Sequence, residues 1–189
     1  MSEYFAIFSA MKKLSHAEIA QKRLTPEQLK TAERLPVYAV LDNIRSLYNV
    51  GSIFRTSDGA RVSKIYCCGY TPYPPRREIE KTALGATLTV PWEHRRDTAS
   101  AVSELRDRGV RICVLEQTDR SVPYDSLSAE EFPLALVIGN EITGVTKEIV
   151  SAADRAIEIP MFGLKQSLNA AVAYGIAVYA FVKLLRPPL

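Results

Sequence analysis

A chain of 189 residues that is 47% hydrophobic, 24% charged and 8% aromatic carries enough apolar material for one well-formed core, which excludes a disordered chain, a collagen-like repeat and a disulfide-stapled miniprotein. Lys and Arg number 24 against 21 Asp and Glu, a net charge of +3 that permits a phosphate-bearing partner without demanding one, so any argument for nucleic acid rests on where the cations sit. The three cysteines, Cys67, Cys68 and Cys113, form no metal-ligand pattern and cannot all pair with one another; they read as small buried hydrophobes in a cytoplasmic protein, and no metal is expected.

At the N-terminus the lysines of MSEYFAIFSAMKKL follow the apolar run, the reverse of a secretory signal. Two short helices come next, marked by Ser15 with Glu18 and by Thr25-Pro26-Glu27-Gln28, where a hydroxyl caps the helix and the fourth residue reaches back to the cap. Residues 1–35 are therefore expected as a helical extension, and residues 36–189 as one domain. From Pro36 onward short β-rich runs alternate with helical ones. Val37 to Leu41 reads as a strand, Asn49 to Ala60 as a helix, Lys64 to Gly69 as a strand and Thr71 to Pro75 as a proline-rich turn. A helix over Thr98 to Arg108 leads to the strand Arg111 to Leu115, and the strand Leu134 to Ile138 leads to a helix near Lys147 to Ala152. The strand Ala156 to Pro160 precedes a last helix, Ser167 to Leu185. About five such alternations predict an α/β fold, a parallel sheet with helices on both faces. The most apolar stretch, Leu168 to Val182, falls short of the roughly 20 residues a membrane span needs and reads as a buried helix.

In an open parallel sheet, ligands bind beyond the carboxyl ends of the strands. Three loops there stand out. The first, Asp42 to Thr56, carries Asn49 and Arg55 six residues apart; a guanidinium grips phosphate in a forked geometry and an amide fixes a hydroxyl, although a surface ion pair and a helix cap would explain the same two residues. The second, Ile138-Gly139-Asn140-Glu141-Ile142-Thr143-Gly144, has two glycines that let a ligand approach the backbone and a single carboxylate. The third runs from Ile159-Pro160-Met161 to Ser167-Leu168-Asn169, a Pro/Gly loop into a helix whose opening serine is a favoured N-cap.

In this order the three elements resemble motifs one, two and three of the SpoU/TrmH family, in the SPOUT class of RNA methyltransferases, over roughly Val37 to Leu185. The resemblance implies that the C-terminal segment threads a loop to form a deep trefoil knot, an exception to the rule that chains stay unknotted. It implies S-adenosylmethionine as cofactor, against Ile138, Gly139, Asn140, Gly144, Ile159, Met161 and Leu168; apolar walls and glycine-exposed amides suit an adenine ring, and no G-x-G-x-x-G fingerprint follows any strand. It implies methylation of a ribose 2′-hydroxyl in tRNA or rRNA, with Arg55 nearest the chemistry and Asn49, Glu141, Ser167 and Asn169 around it, in a homodimer whose subunits complete one another's sites. A guanidinium does not readily release its proton, so Arg55 reads as a phosphate clamp and a stabiliser of the developing alkoxide. Arg45, Lys64, Arg76, Arg77, Lys81, Arg95 and Arg96 are the candidate contacts to structured RNA, against the alternative of a solvated charged face. Tyr4, Phe5 and Phe8 either stack on bases or dock on the chain's own core. Larger relatives carry a separate N-terminal RNA-binding domain, for which the extension is too short. A knotted RNA-binding protein without catalysis and an RNA base methyltransferase remain the competing readings.

Overall fold

The computed structural model describes residues 11–186, in two units, 1–32 and 33–189. Tyr4, Phe5 and Phe8 lie outside the described residues. The first unit holds two one-and-a-half-turn helices, α1 (His16–Gln21) and α2 (Pro26–Thr31). Both expected capping boxes are formed: Ser15 and Thr25 each accept from the backbone three residues on, and Glu18 and Gln28 accept from the N–H of the capping residue.

The second unit is a seven-stranded sheet. In chain order its elements are β1 (Leu35–Asp42), α3 (Leu47–Ala60), β2 (Val62–Cys68), α4 (Arg77–Ala83), β3 (Trp92–Arg95), α5 (Thr98–Asp107), β4 (Arg111–Leu115), β5 (Val122–Pro123), β6 (Leu134–Gly139), α6 (Lys147–Ala152), β7 (Arg155–Glu158) and α7 (Ala170–Leu185). The spatial order is β3-β2-β1-β6-β4-β7-β5 and every pairing is parallel. Register sets the functional edge: Asp42 is level with Cys68 and with Gly139, and Cys68 with Arg95. The loops after β1, β2, β3 and β6 therefore leave the sheet side by side.

Strand side chains alternate between two apolar layers, as the pleat requires. Val37, Ala39 and Leu41 of β1 pack with Ile53 and Phe54 of α3 and with Tyr174, Val178 and Phe181 of α7. Val40 faces the other way, with Ala101 and Leu105 of α5 and Ile149 of α6. Both faces are covered, as the alternating pattern predicted. Cys67, Cys68 and Cys113 are fully buried free thiols within these layers, and burial pushes each thiol's pKa well above its ordinary range.

Several boundaries differ from those expected. Helix α3 starts at Leu47 with Ser46 as its cap, so Asn49 lies inside the first turn and is not the cap. Helix α7 starts at Ala170, capped by Asn169 and not by Ser167: the Asn169 Oδ1 accepts from Ala171 N–H (2.9 Å) and Val172 N–H (3.3 Å). Strand β7 ends at Glu158 rather than Pro160. The sequence pattern does not mark helix α4 or strands β3 and β5: α4 has no side-chain cap, and β3 and β5 bury no residue, so neither a cap nor an apolar run announces them.

The most buried carboxylate of the described residues sits where β1 ends. Asp42, 1% exposed, accepts from Thr98 Oγ1 (2.5 Å) at the start of α5, from Asn43 Nδ2 (3.0 Å), and from the Thr146 N–H (2.9 Å) that begins α6. It ties two helix N-termini to one strand end, where their partial positive charge favours an anion. Asp42→Ala leaves those donors unsatisfied and is expected to destabilise the protein by about 2–4 kcal/mol in urea unfolding, well beyond the loss for an exposed Asp119→Ala control.

Candidate active site

The chemistry-bearing loops meet through one carboxylate. Glu141, after β6, accepts from the Arg45 N–H (2.8 Å) on Oε2, and from the Ser46 N–H (3.0 Å) and Asn49 Nδ2 (2.8 Å) on Oε1. These donors lie at the N-terminus of α3, whose first N–H groups have no intrahelical acceptor and whose dipole favours a negative charge. Asn49 in turn accepts from Asn169 Nδ2 (3.0 Å) on its Oδ1, while Asn169 caps α7. Three segments are thus joined as Glu141–Asn49–Asn169, with Asn49 lying 92 and 120 residues from its two partners. Burial pushes the Glu141 carboxyl upward, but the hydrogen bonds from Arg45, Asn49 and Ser46 outweigh it and hold the pKa below the usual carboxylate range.

The β6 loop beneath Glu141 is built on backbone approach. Asn140 Oδ1 accepts from the Ile142 and Thr143 N–H groups (2.9 and 3.0 Å), and its Nδ2 donates to Asn43 O and Tyr70 Oη (both 2.8 Å). Asn140 and Gly144 exchange two backbone hydrogen bonds, of 3.1 and 2.9 Å. A Cβ on Gly139 would lie 2.1 Å from Gly144 C and from Val145 N, and one on Gly144, whose φ is +70°, would lie 2.2 Å from Glu116 Oε2. Neither position accepts a side chain. Glu116 Oε2 also accepts from the Val145 N–H (3.0 Å), closing the loop against the end of β4.

Around this loop lies a cavity of about 290 Å³, at the lower edge of small-ligand pockets, lined by Ile138, Gly139, Asn140, Glu141, Gly144, Ile159, Met161, Ser167, Leu168 and Asn169, together with Leu115, Glu116, Gln117, Ile142, Glu158, Ala170 and Ala173. Every residue expected from sequence to touch a cofactor lies on its wall, as do Glu141, Ser167 and Asn169. Asn49 stands behind the wall, joined to it by hydrogen bonds. The β4 end was missed: Leu115, Glu116 and Gln117 follow a strand that sequence reading did place, so the rule that ligands sit beyond strand carboxyl ends was the available signal. Gln117 Nε2 donates to Gln166 O (2.6 Å), pinning the third loop over the cavity.

Arg55 does not join this set. It is exposed on α3, lines no part of the cavity, and its side chain has no hydrogen bond or ion pair among the described residues. The surface ion pair considered as its ordinary explanation is absent among those residues. The other cations divide. Lys64 pairs with Glu93 (2.7 Å), and Arg95 pairs with both Glu93 and Glu104, so these two are already engaged. Arg45, Arg76, Arg77, Lys81 and Arg96 are exposed, with no side-chain hydrogen bond or ion pair among the described residues. Among those residues no group of three or more His, Cys, Asp or Glu is arranged to hold a metal, and no helix is long and apolar enough to cross a membrane.

A parallel α/β sheet whose strand ends and following loops enclose a cavity beside a helix N-terminus defines a class of ligand-binding domains. The sequence matches the SpoU rRNA Methylase family over residues 36–179, and the chain belongs to that family. It is 35% identical over 159 residues to a tRNA (guanosine(18)-2′-O)-methyltransferase of Aquifex aeolicus (strain VF5), covering 84% of this chain and 73% of the relative. To the protein of the same description from Escherichia coli (strain K12) it is 30% identical over 149 residues, covering 78% of this chain and 64% of the relative. The crystal structure of the A. aeolicus TrmH/SpoU tRNA modifying enzyme superposes with a TM-score of 0.74 at 29% identity, over 84% of this chain and 82% of that one. An AdoMet-bound rRNA methyltransferase from Sinorhizobium meliloti gives 0.76 at 29% identity, over 87% of this chain and 62% of that one. The chain spans 59% to 73% of the length of three curated relatives it matches.

Two outcomes follow from the site's construction. Gly139→Ala forces the β6 loop off its crossing, so it is expected to destabilise the protein by roughly 1–3 kcal/mol and to abolish binding of S-adenosylhomocysteine in calorimetry. The lowered Glu141 pKa makes the loop junction a source of stability that is full above the unfolded value of about 4.3 and is lost as pH falls through the folded value. Urea unfolding is expected to show wild type more stable than Glu141→Gln near neutral pH, with the gap narrowing as the pH is lowered below about 4.3.

Proposed function

We propose that this chain transfers the methyl group of S-adenosylmethionine to the 2′-hydroxyl of a ribose in tRNA or rRNA, in the cytoplasm, and that it carries the trefoil knot of its family. The observation that carries the reading is the cavity bounded by the β6 loop and the 159–169 loop, with the Glu141–Asn49–Asn169 chain at its side. The named activities of the Aquifex and Escherichia relatives and the AdoMet-bound Sinorhizobium structure support it.

The residues present fit the cofactor. Ile138, Ile159, Met161 and Leu168 offer an apolar surface to a purine, and Gly139 and Gly144 keep side chains out of the way of the backbone. When bound, the cofactor supplies an electrophilic methyl group on a sulfonium. Glu141, Asn49 and Asn169 set the relative positions of the three loops, so that an acceptor oxygen is held in line without further reorganisation, the main saving available to a bimolecular transfer. Arg55 grips the substrate phosphate with its forked guanidinium and stays protonated. Its positive charge stabilises the alkoxide as it develops, and the hydroxyl proton leaves to that phosphate or to water.

Arg55 is exposed and absent from its own cavity wall, which favours a homodimer in which it completes the site of the second protomer. Val172 and Tyr179 of α7, each 52% exposed, are the apolar surface such a dimer would cover.

Three measurements test the reading. Ribonucleoside mass spectrometry of a deletion strain is expected to show loss of one 2′-O-methyl nucleoside; loss of a methylated base, or no change, overturns the assignment. Arg55→Lys, which keeps charge but loses the fork, is expected to reduce kcat about 10²-fold with cofactor affinity unchanged. Mixing inactive Arg55→Ala with inactive Asn169→Ala is expected to restore part of the activity, whereas an Arg55 acting within its own chain leaves the mixture inactive.

A further inference from the structure

The loop after β2 presents an exposed tyrosine that is fixed at both ends. Tyr70 is 63% exposed, yet its backbone N–H donates to Asn43 Oδ1 (3.2 Å) and its hydroxyl accepts from Asn140 Nδ2 (2.8 Å). Asn43 itself is held in the left-handed region, φ 58°, with its Nδ2 on the buried Asp42. From the other side, Gly69 N–H donates to Arg95 O (3.1 Å) and the His94 ring Nε2 bonds Gly69 O (2.9 Å). Asn140 Nδ2 carries two hydrogens and divides them between the Tyr70 hydroxyl and Asn43 O, so the hydroxyl bond both positions the ring and satisfies a buried amide. The fold therefore spends two anchors on keeping a large aromatic face rigid and in solvent. An immobilised ring loses little freedom when something stacks on it.

The charges beside it are unbalanced. Arg45, two residues beyond Asn43, and Arg96, next to Arg95, are exposed with no side-chain hydrogen bond or ion pair among the described residues. Of the nearby carboxylates, Glu93 and Glu104 are taken by Lys64, Arg95 and Arg108, and Asp97, beside Arg96 and responsive to its charge, caps α5 through the Ser100 N–H. A fixed aromatic face flanked on neighbouring loops by exposed guanidinium groups matches a base and its backbone phosphates.

We propose that Tyr70 is a stacking platform for an unpaired nucleobase of the RNA substrate, with Arg45 and Arg96 against the adjoining phosphates. The seat communicates with the cavity through Asn140, which bonds the tyrosine hydroxyl with one end and shapes the β6 loop with the other. The proposal rests on the RNA-methylation reading and deepens it: the recognised element is a base out of its helix, read by its flat face.

The test uses the full chain and end-labelled unfractionated tRNA, with binding followed by fluorescence anisotropy for wild type, Tyr70→Ala, Tyr70→Leu and Tyr70→Phe, and with thermal unfolding and S-adenosylhomocysteine calorimetry on each. Loss of the ring in the Ala and Leu variants is expected to raise the tRNA Kd roughly 5- to 100-fold, with cofactor affinity retained. Tyr70→Phe, which keeps the ring, is expected to stay within about twofold of wild type. Unchanged tRNA affinity in Tyr70→Ala overturns the platform, and so does a Phe variant weakened as much as the Ala variant, since the hydroxyl anchor would then be the whole effect. If Tyr70→Ala fails to fold, the Leu and Phe pair decides the question alone. A wild type that binds tRNA with this ring dependence but transfers no methyl group defeats the methyltransferase reading and leaves the platform standing.

Discussion

The Glu141 carboxylate accepts from two backbone N–H groups and a side-chain amide at the start of α3, and the placement of the other loops follows from that junction. Its charge sits where the α3 dipole favours an anion. Its partner Asn49 passes the constraint on to Asn169, which in turn begins α7. Each bond alone is a modest contribution on a half-wet surface. Their value lies in connectivity, because a chain of hydrogen bonds fixes the separation of three loops that no strand pairing controls.

Beneath that junction the backbone itself is the wall. Gly139 and Gly144 permit two stretches of main chain to approach more closely than any side chain would allow, and Glu116 closes the gap from β4. The cavity is consequently formed by loops that leave strand ends and by the start of α7. Asp42 gives the same edge its foundation by tying the starts of α5 and α6 to the end of β1.

The cations show how structure sorts what composition leaves equal. Arg95 resembles Arg76 and Arg96 in sequence, each lying in a charged run. Strand pairing brings Glu93 level with Tyr66 and places Arg95 at the end of β3, where Glu93 and Glu104 meet it. Arg96, one residue later, leaves the sheet and is exposed, with the neighbouring Asp97 responding to its charge. No spacing rule separates neighbours that differ only in whether the chain is still in a strand.

Much of the fold was legible because burial on both faces writes continuous apolar runs into strands such as Leu134 to Ile138, and because capping boxes are local. Those features depend on residues within a few positions of one another. The cavity residues of the second and third loops were legible through motif order. By contrast, α4 and β3 were not, since α4 has no side-chain cap and β3 buries no residue. The sequence by itself determined the alternation of strand and helix, the buried cysteines and the loops that carry polar chemistry. Tertiary structure alone decided that Asn169 rather than Ser167 caps α7, that Glu116 faces Gly144, that Arg55 stands outside its own cavity and that Tyr70 is anchored yet exposed. The physical reason is that each of these depends on a contact between segments distant in the chain, where the identity of either partner leaves the distance between them unspecified.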